Sequence, residues 1–319
     1  MPTALPEVDP ESPASLAALW VGVAVVLSAA LTIAVVLVVG IAGQRGEPFT
    51  DGEVPRDSPL YLRSTHRPTG MLHLAGSGSN LPLTRALADM FHAQHPGQHV
   101  VVFDSIGSTG AVQAAYDDVI DLGLVSRPLK PSEATLGLFT TPYARVPVVF
   151  AVNLGVPDDS LAPDELLEVY AGRKTTWSDG SPIVVLQRER GDSSHHAVAE
   201  RIPEFATVNE DAYREARWRV VDSDAAMQEA LSITGGAVGL FDLGAIVLQQ
   251  LPVRPLRIAG IEPSEASVQS GRYPFSKDLV FVSVEDPAGL ASDFLRFVDS
   301  SQARRFTRDS GYIPLPEDQ

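Results

Sequence analysis

The chain has 319 residues, no cysteine, 45% hydrophobic residues and a formal net charge of -16. The hydrophobic share is that of a folded protein, so disorder of the whole chain is excluded. Without cysteine there is no disulfide, no thiolate nucleophile and no cysteine-held metal. The negative charge excludes nucleic acid and anionic membrane surfaces as broad partners, whereas a small anion site made of backbone N–H groups and hydroxyls stays open.

A long apolar segment dominates the N-terminus. Leu16 to Ala42 carries no charged residue and exceeds the roughly 20 residues that cross a hydrocarbon core. The residues before it are acidic and contain no Lys or Arg, which does not fit the basic start of a cleaved signal peptide. The sequence therefore predicts an acidic tail (1–15), an uncleaved transmembrane helix (16–42) and a proline-rich linker (43–70). Arginines follow the helix, and taken alone they favour a cytoplasmic domain.

From Met71 onward, short apolar strands alternate with amphipathic helical patterns. The strand-like segments include MLHLAG, HVVVFDS and ARVPVVFAVN, and the helical ones include LPLTRALADMFHAQHP and APDELLEVYAGR. This alternation predicts an α/β domain over 71–319 with a largely parallel sheet. The segment 289–311 is predicted as one closing helix. In such sheets, ligands bind at the carboxyl ends of strands, where helices begin.

Three loops of small residues each lie between a strand and a helix: Gly76–Asn80, Gly107–Gly110 and Gly191–Ser194. Backbone N–H groups and helix N-termini at such places favour an anion. Arg188 ends the strand that precedes the third of these loops, and its side chain can hold a tetrahedral oxyanion through two N–H groups. The alternative is that the loops are ordinary turns with Ser or Asn caps, and that Arg188 and its neighbour Arg190 are solvated charges beside a capping Asp192. None of the loops is a dinucleotide or Walker A motif.

The sequence gives little support for an enzymatic function. Gly191-Asp192-Ser193 is similar to a sequence motif of serine hydrolases. That motif lies near the start of its domain and needs an Asp and a His near the C-terminus, whereas the last histidine here is His196. His195 and His196 are adjacent, so they lack the i, i+4 spacing of helical metal ligands, and we expect both to be solvated. No set of nucleophile, base and orienting group can be assembled. We therefore expect no catalytic residue, no metal and no cofactor.

Together, GSGSNLPL, IGSTGAVQAAYDDVIDLGLVSRPLKPSE and DELLEVYAGRKTTWSDGSPIVVLQRERGDSS resemble the phosphate-binding component of bacterial phosphate ABC transporters, in the periplasmic binding protein superfamily. The resemblance runs from about Met71 to Pro316. It implies a two-lobed α/β fold of the type II kind with two inter-lobe strands. Lobe one would comprise about 71–147 and 275–319, and lobe two about 148–274.

The resemblance also implies a set of ligand-binding residues at the lobe interface. They are Ser79, Asn80, Ser108, Ser126, Arg127, Arg188, Asp192, Ser193 and Ser194. Two of these depart from the family pattern, because Asp192 stands where a hydroxyl is usual and Ser126 where some members carry an acid. A carboxylate at position 192 repels a dianion, unless it is protonated or pairs with Arg190.

The expected function is therefore that of a membrane-anchored solute-binding protein that captures phosphate or a similar oxyanion for ABC-type uptake. Its expected partners are an ABC permease and, through the N-terminal helix, the membrane, with no nucleic acid. The resemblance implies a domain on the periplasmic or extracellular side, against the arginine count. The alternative is a sensory or scaffolding relative of the same fold that acts through its anchor.

Overall fold

A computed structural model describes residues 70–315 of the chain. The predicted acidic tail and transmembrane helix, and all of the predicted linker except its last residue, lie outside this range. Within 70–315, every helix is too short or too polar to cross a bilayer.

Strands and helices alternate along the described residues. The strands are β1 (Met71–Gly76), β2 (His99–Ser105), β3 (Leu122–Val125), β4 (Phe139–Asn153), β5 (Ser160–Leu161), β6 (Val184–Arg188), β7 (Arg219–Val221), β8 (Ala237–Asp242), β9 (Val253–Pro255), β10 (Arg257–Ile258), β11 (Ser276–Ser283) and β12 (Ile313–Pro314). The helices are α1 (Leu81–Gln94), α2 (Gly107–Tyr116), α3 (Pro131–Ala134), α4 (Pro163–Tyr170), α5 (Ser193–Ala199), α6 (Pro203–Arg214), α7 (Asp224–Ile233), α8 (Leu243–Gln249), α9 (Glu265–Gln269), α10 (Leu290–Val298) and α11 (Ser301–Asp309).

The main sheet is mixed, which corrects the prediction of a largely parallel sheet. β1 is parallel to β2 and β3, and β6 is parallel to β7 and β8. β11 is antiparallel to both β3 and β4, and β4 is antiparallel to β8 and β9. The strand order is β2-β1-β3-β11-β4-β8-β6-β7. The antiparallel pairs arise because β4 and β11 pass between two lobes, whereas the parallel pairs are joined by helical crossovers within one lobe.

β4 connects the two lobes. Its first half pairs with β11, and its second half pairs with β8. Pro147 lies at the changeover, opposite Ser276, and the next residue, Val148, lies opposite Asp242. Proline has no N–H to donate, so it fits a point where the ladder passes from one partner strand to another. The second connection runs through Phe275, whose carbonyl accepts the N–H of Val148 at 3.0 Å before β11 enters lobe one.

Each lobe has its own hydrophobic core. In lobe one, α1 places Leu83, Leu87 and Phe91 four residues apart, and all three are fully buried in one stripe. In lobe two, Phe150 and Phe275 belong to a separate cluster around the second half of β4. Because each core closes on itself, space is left between the lobes for polar as well as apolar side chains.

Several helix assignments differ from the sequence prediction, which did not include α3, α6, α8 or α9. The closing segment forms α10 and α11 rather than one helix, because Ser300 takes an extended conformation and its hydroxyl accepts the N–H of Ala303 at 3.2 Å. This N-cap starts a new helix. The helix α6 (Pro203–Arg214) was not predicted, although Pro203 at its first turn and Glu204 beside it are ordinary start signals.

Candidate ligand site between the lobes

A cavity of about 780 Å³ lies between the lobes. Its lobe-one wall is made by the start of α2 and by residues 127–131, which follow β3. Its lobe-two wall is made by residues 188–193, by part of α6 and by residues 222–224. Loop one adds Ser77 and Gly78. All three predicted loops therefore reach one cavity.

Loop one follows β1 and packs closely on β3. A Cβ at Gly76 would lie 2.1 Å from the carbonyl oxygen of Leu124, so this position requires glycine. Beyond it, Ser77 lines the cavity. Asn80 turns away from the cavity and is fully buried, with its amide nitrogen 3.1 Å from the hydroxyl of Tyr143. Asn80 thus supports the base of the loop.

Loop two forms the first turn of α2. The hydroxyl of Ser108 lines the cavity and accepts the N–H of Ser126 at 3.3 Å. Arg127 also lines the cavity, but its guanidinium is held by both carboxylate oxygens of Glu133, at 2.7 and 2.8 Å. The bonds from Arg127 lower the pKa of Glu133. Arg127 is therefore largely committed to a partner within lobe one, and Thr109 accepts a further bond from it.

A chain of serine hydroxyls joins the lobes. Ser126 donates to Ser193 at 2.9 Å, and Ser77 lies 2.7 Å from Ser126. A hydroxyl has one hydrogen, so Ser77 must be the donor to Ser126. Ser126 and Ser77 belong to lobe one and Ser193 to lobe two, so this chain closes the cleft at its base.

Lys277, which was not predicted, lies at the centre of this base. Its side chain is 4% exposed, and its Nζ atom is 2.7 Å from the Ser79 hydroxyl, 2.9 Å from that of Ser194 and 3.1 Å from that of Ser193. A buried carboxylate, Asp242, lies 3.0 Å from the same nitrogen. Burial raises the pKa of Asp242, and Lys277 opposes that rise. Lys277 thus ties loop one to α5 through hydroxyl oxygens.

Arg188 is buried, with a side chain that is 4% exposed, so it is not the solvated charge of the alternative reading. Its Nη2 atom lies 3.3 Å from Asp192 Oδ2, its Nη1 atom 3.2 Å from Asp224 Oδ1, and its Nε atom 3.1 Å from Glu189 Oε2. Burial alone would lower the pKa of Arg188, but Asp224 and Asp192 raise it. The guanidinium is therefore charged and surrounded by carboxylates.

Asp192 has two roles, as the N-cap that the sequence left open and as a partner of Arg188. It caps α5, because its Oδ1 atom accepts the N–H groups of Ser194 at 2.9 Å and His195 at 3.3 Å. It also pairs with Arg188 and not with Arg190, the partner that the sequence left open, because Arg190 pairs with Glu210 at 3.0 Å. Burial would raise the pKa of Asp192, but Arg188 and Lys277 outweigh it and the pKa is lowered. Asp192 is thus ionised, and the protonated form, which the sequence left open, is not favoured.

The two walls of the cavity differ in charge. The lobe-one wall carries Arg127 and Lys130 and no carboxylate. The lobe-two wall carries two arginines and five carboxylates, namely Arg188, Arg190, Glu189, Asp192, Glu210, Asp222 and Asp224. An anion in the cavity would therefore be attracted by the cations of lobe one and by Arg188, and it would be repelled by the carboxylates around Arg188.

The two adjacent histidines are not equivalent. His195 is buried, which corrects the expectation that both are solvated, and its Nδ1 atom lies 3.2 Å from the amide nitrogen of Asn209. Burial lowers the pKa of His195 to about 4, so the ring is neutral near pH 7. His196 is exposed and lies 3.1 Å from Glu200. In the range 70–315, no cluster of His, Asp and Glu side chains could hold a metal ion.

The nine predicted ligand residues fall into two groups. Those that line the cavity are Ser108, Arg127, Arg188, Asp192 and Ser193. Those that lie beside or beneath it are Ser79, Asn80, Ser126 and Ser194. The second group supports the first mainly through Lys277 and the serine chain. The architecture is that of a two-lobed binding protein with a polar inter-lobe site.

The chain belongs to the PBP superfamily. The family model PBP_like_2, described as a PBP superfamily domain, matches residues 63–302. The chain is 24% identical over 271 residues to the phosphate-binding protein PstS of Bacillus subtilis (strain 168), over 83% of this chain and 88% of that protein. These matches confirm the family resemblance and identify a binding protein rather than an enzyme.

Solved structures confirm the fold. A substrate-binding protein of Clostridium perfringens with bound phosphate superposes with a TM-score of 0.67 at 22% identity, over 77% of this chain and 100% of that one. An ABC-type phosphate transport receptor from Vibrio cholerae gives a TM-score of 0.56 at 23% identity, over the same shares of the two chains.

Proposed function

We propose that this chain is a membrane-anchored solute-binding protein that captures phosphate or a similar oxyanion in the inter-lobe cleft and delivers it to an ABC permease. The observation that carries the proposal is the meeting of Arg188 with the hydroxyls of Ser108 and Ser193 at one cavity. These groups come from both lobes, and they are hydrogen-bond donors of the kinds that bind tetrahedral oxyanions. The relatives named as phosphate-binding proteins support the choice of ligand.

Capture would proceed by closure of the lobes over the anion. Lobe one would offer the Ser108 hydroxyl and Lys130, and lobe two would offer Arg188 and Ser193. Of the nine residues predicted from the sequence, those that line the cavity would contact the anion directly, and the others would support them from beneath. A permease would recognise the closed form, in which both lobes present one surface.

The anchor would be the apolar segment 16–42, with the binding domain on the periplasmic or extracellular side. This orientation is supported by the extracytoplasmic role implied by uptake, and it is opposed by the arginines that follow the segment. Protease treatment of intact spheroplasts tests it. Digestion of the domain is expected, and protection of the domain would place it in the cytoplasm.

Isothermal titration of the full-length chain in mild detergent, with phosphate, sulfate and molybdate in turn, tests the ligand. Arg188→Ala should abolish the heat of binding. Arg190→Ala is the matched control, because Arg190 lies two residues away on the same wall but is exposed and paired with Glu210. Circular dichroism on both variants checks that they are folded. Unchanged affinity in Arg188→Ala would refute the site.

The second candidate is a sensory or scaffolding protein that acts through its anchor. It is favoured by the carboxylates that already surround Arg188, because they satisfy this cation without a ligand. Absence of heat with every oxyanion in the wild-type chain, together with a signalling partner in place of a permease, would favour this second candidate.

A further inference from the structure

The carboxylate of Asp192 is held by the same kinds of group that would bind an oxyanion. Its Oδ2 atom lies 3.3 Å from Nη2 of Arg188, and its Oδ1 atom accepts the backbone N–H of Ser194 at 2.9 Å. A guanidinium and a backbone N–H are the same kinds of donor that a captured anion would use. The side chain of Asp192 is only 7% exposed, so solvent screens its charge weakly.

Arg188 has both of its terminal nitrogens engaged. Nη2 faces Asp192 and also donates to Glu189 Oε1 at 3.2 Å, and Nη1 lies 3.2 Å from Asp224. An incoming oxyanion must therefore displace one of these carboxylates or share Arg188 with it. Asp224 is 28% exposed and Glu189 is 39% exposed, so water screens both carboxylates better than Asp192, and Asp192 repels a bound anion most strongly.

Two other cations near Arg188 are already paired and do not compensate for this. Lys277 is paired with Asp242 and bonded to three serine hydroxyls, and Arg190 is paired with Glu210. On the lobe-two wall, carboxylates outnumber guanidinium groups. Repulsion from a fixed carboxylate grows in proportion to the charge of the ligand.

We propose, resting on the oxyanion-binding function above, that Asp192 is an affinity-determining residue whose carboxylate competes with the ligand for Arg188. It lowers the affinity of the cleft for dianions and makes the protein a low-affinity receptor. Loss of the charge at position 192, with the N-cap of α5 retained, therefore strengthens oxyanion binding.

The test compares full-length wild type with Asp192→Asn and Asp192→Ser by isothermal titration with inorganic phosphate and with sulfate. Both replacements keep a side-chain acceptor for the first turn of α5 and remove the charge, and two variants guard against a folding defect in one of them. Glu210→Gln is the matched control. It removes a carboxylate from the same wall, but one that pairs with Arg190 instead of Arg188.

Both Asp192 variants should bind phosphate and sulfate at least about tenfold more tightly than wild type, the scale expected for a unit charge several ångströms from the ligand. Glu210→Gln should stay within about twofold. Equal affinity in wild type and both Asp192 variants, or an equal gain in Glu210→Gln, overturns this inference and leaves the proposed function intact. Absence of binding in every variant overturns both. Binding only in the Asp192 variants supports the inference and refutes oxyanion uptake by the wild type.

Discussion

The replacement Lys277→Met probes the buried charge pair at the base of the cleft. Methionine has nearly the same length as lysine but leaves Asp242 without its partner at 3.0 Å, in a site where both side chains are under 5% exposed. At that distance and an effective dielectric constant of about 20, Coulomb's law gives about 5 kcal/mol for the pair. Removal of one partner from a buried pair costs roughly 3–5 kcal/mol. We expect a loss of that size in the free energy of unfolding.

Urea unfolding of the full-length chain in detergent, followed by tryptophan fluorescence at pH 7 and pH 5, measures this loss. Burial raises the pKa of Asp242, and loss of Lys277 raises it further. A carboxyl with a raised pKa in the folded state takes up a proton on folding, so its destabilising effect grows as the pH rises through that pKa. The deficit of Lys277→Met should therefore be larger at pH 7 than at pH 5.

Two further variants make the reasoning refutable. Adding Asp242→Asn to Lys277→Met should restore most of the lost stability and remove its pH dependence. Lys130→Met is the matched control, because the side-chain nitrogen of Lys130 donates to the exposed hydroxyl of Thr109, and the loss of this bond should cost less than about 0.5 kcal/mol. If Lys277→Met costs no more than Lys130→Met, or if Asp242→Asn restores nothing, the buried pair does not stabilise the fold.

Two more predictions concern the Gly78 contact and pH. A Cβ at Gly78 would lie 1.8 Å from Asp224 Oδ2, across the cleft, so Gly78→Ala should force this carboxylate away from Arg188 and cost about 1–3 kcal/mol in urea unfolding. Gly97→Ala, where an added Cβ meets nothing within 4 Å, should not, and equal stability of the two variants would contradict the contact. The pKa of His195 is lowered from 6.5 to about 4, so the folded state should lose roughly 3 kcal/mol as the pH falls between these values. His195→Asn should remove that loss, and an unchanged pH profile would show that His195 is not buried as a neutral ring.

The sequence was sufficient to predict the loops but not the charge pairing between them. Strand–loop–helix patterns located Ser108, Arg188 and Ser193, because local chemistry determines where a strand ends and a helix starts. Lys277 and Asp242 are distant in sequence and meet through β4, where they lie opposite Val146 and Val148, two residues apart. Only the strand order brings them together.

A local signal for Lys277 did exist. Lys277, Leu279 and Phe281 are spaced two residues apart along β11, so they share one face of the strand, and that face is buried. A lysine on such a face needs a carboxylate partner, and that need points to a buried pair. The single-helix prediction for 289–311 failed for a different reason, because a capping serine can occur inside an otherwise continuous helical pattern.

The position of β11 in the sheet has a consequence for synthesis of the protein on the ribosome. β11 lies between β3 and β4, yet it follows the whole of lobe two in the chain. Until Ser276–Ser283 has emerged, β3 and β4 present facing edges with unpaired backbone groups, while lobe two already has all of its strands. Such edges are sites of mispairing and aggregation. A nascent or truncated chain that ends before β11 should therefore need chaperone protection, even though the greater part of its residues has been made.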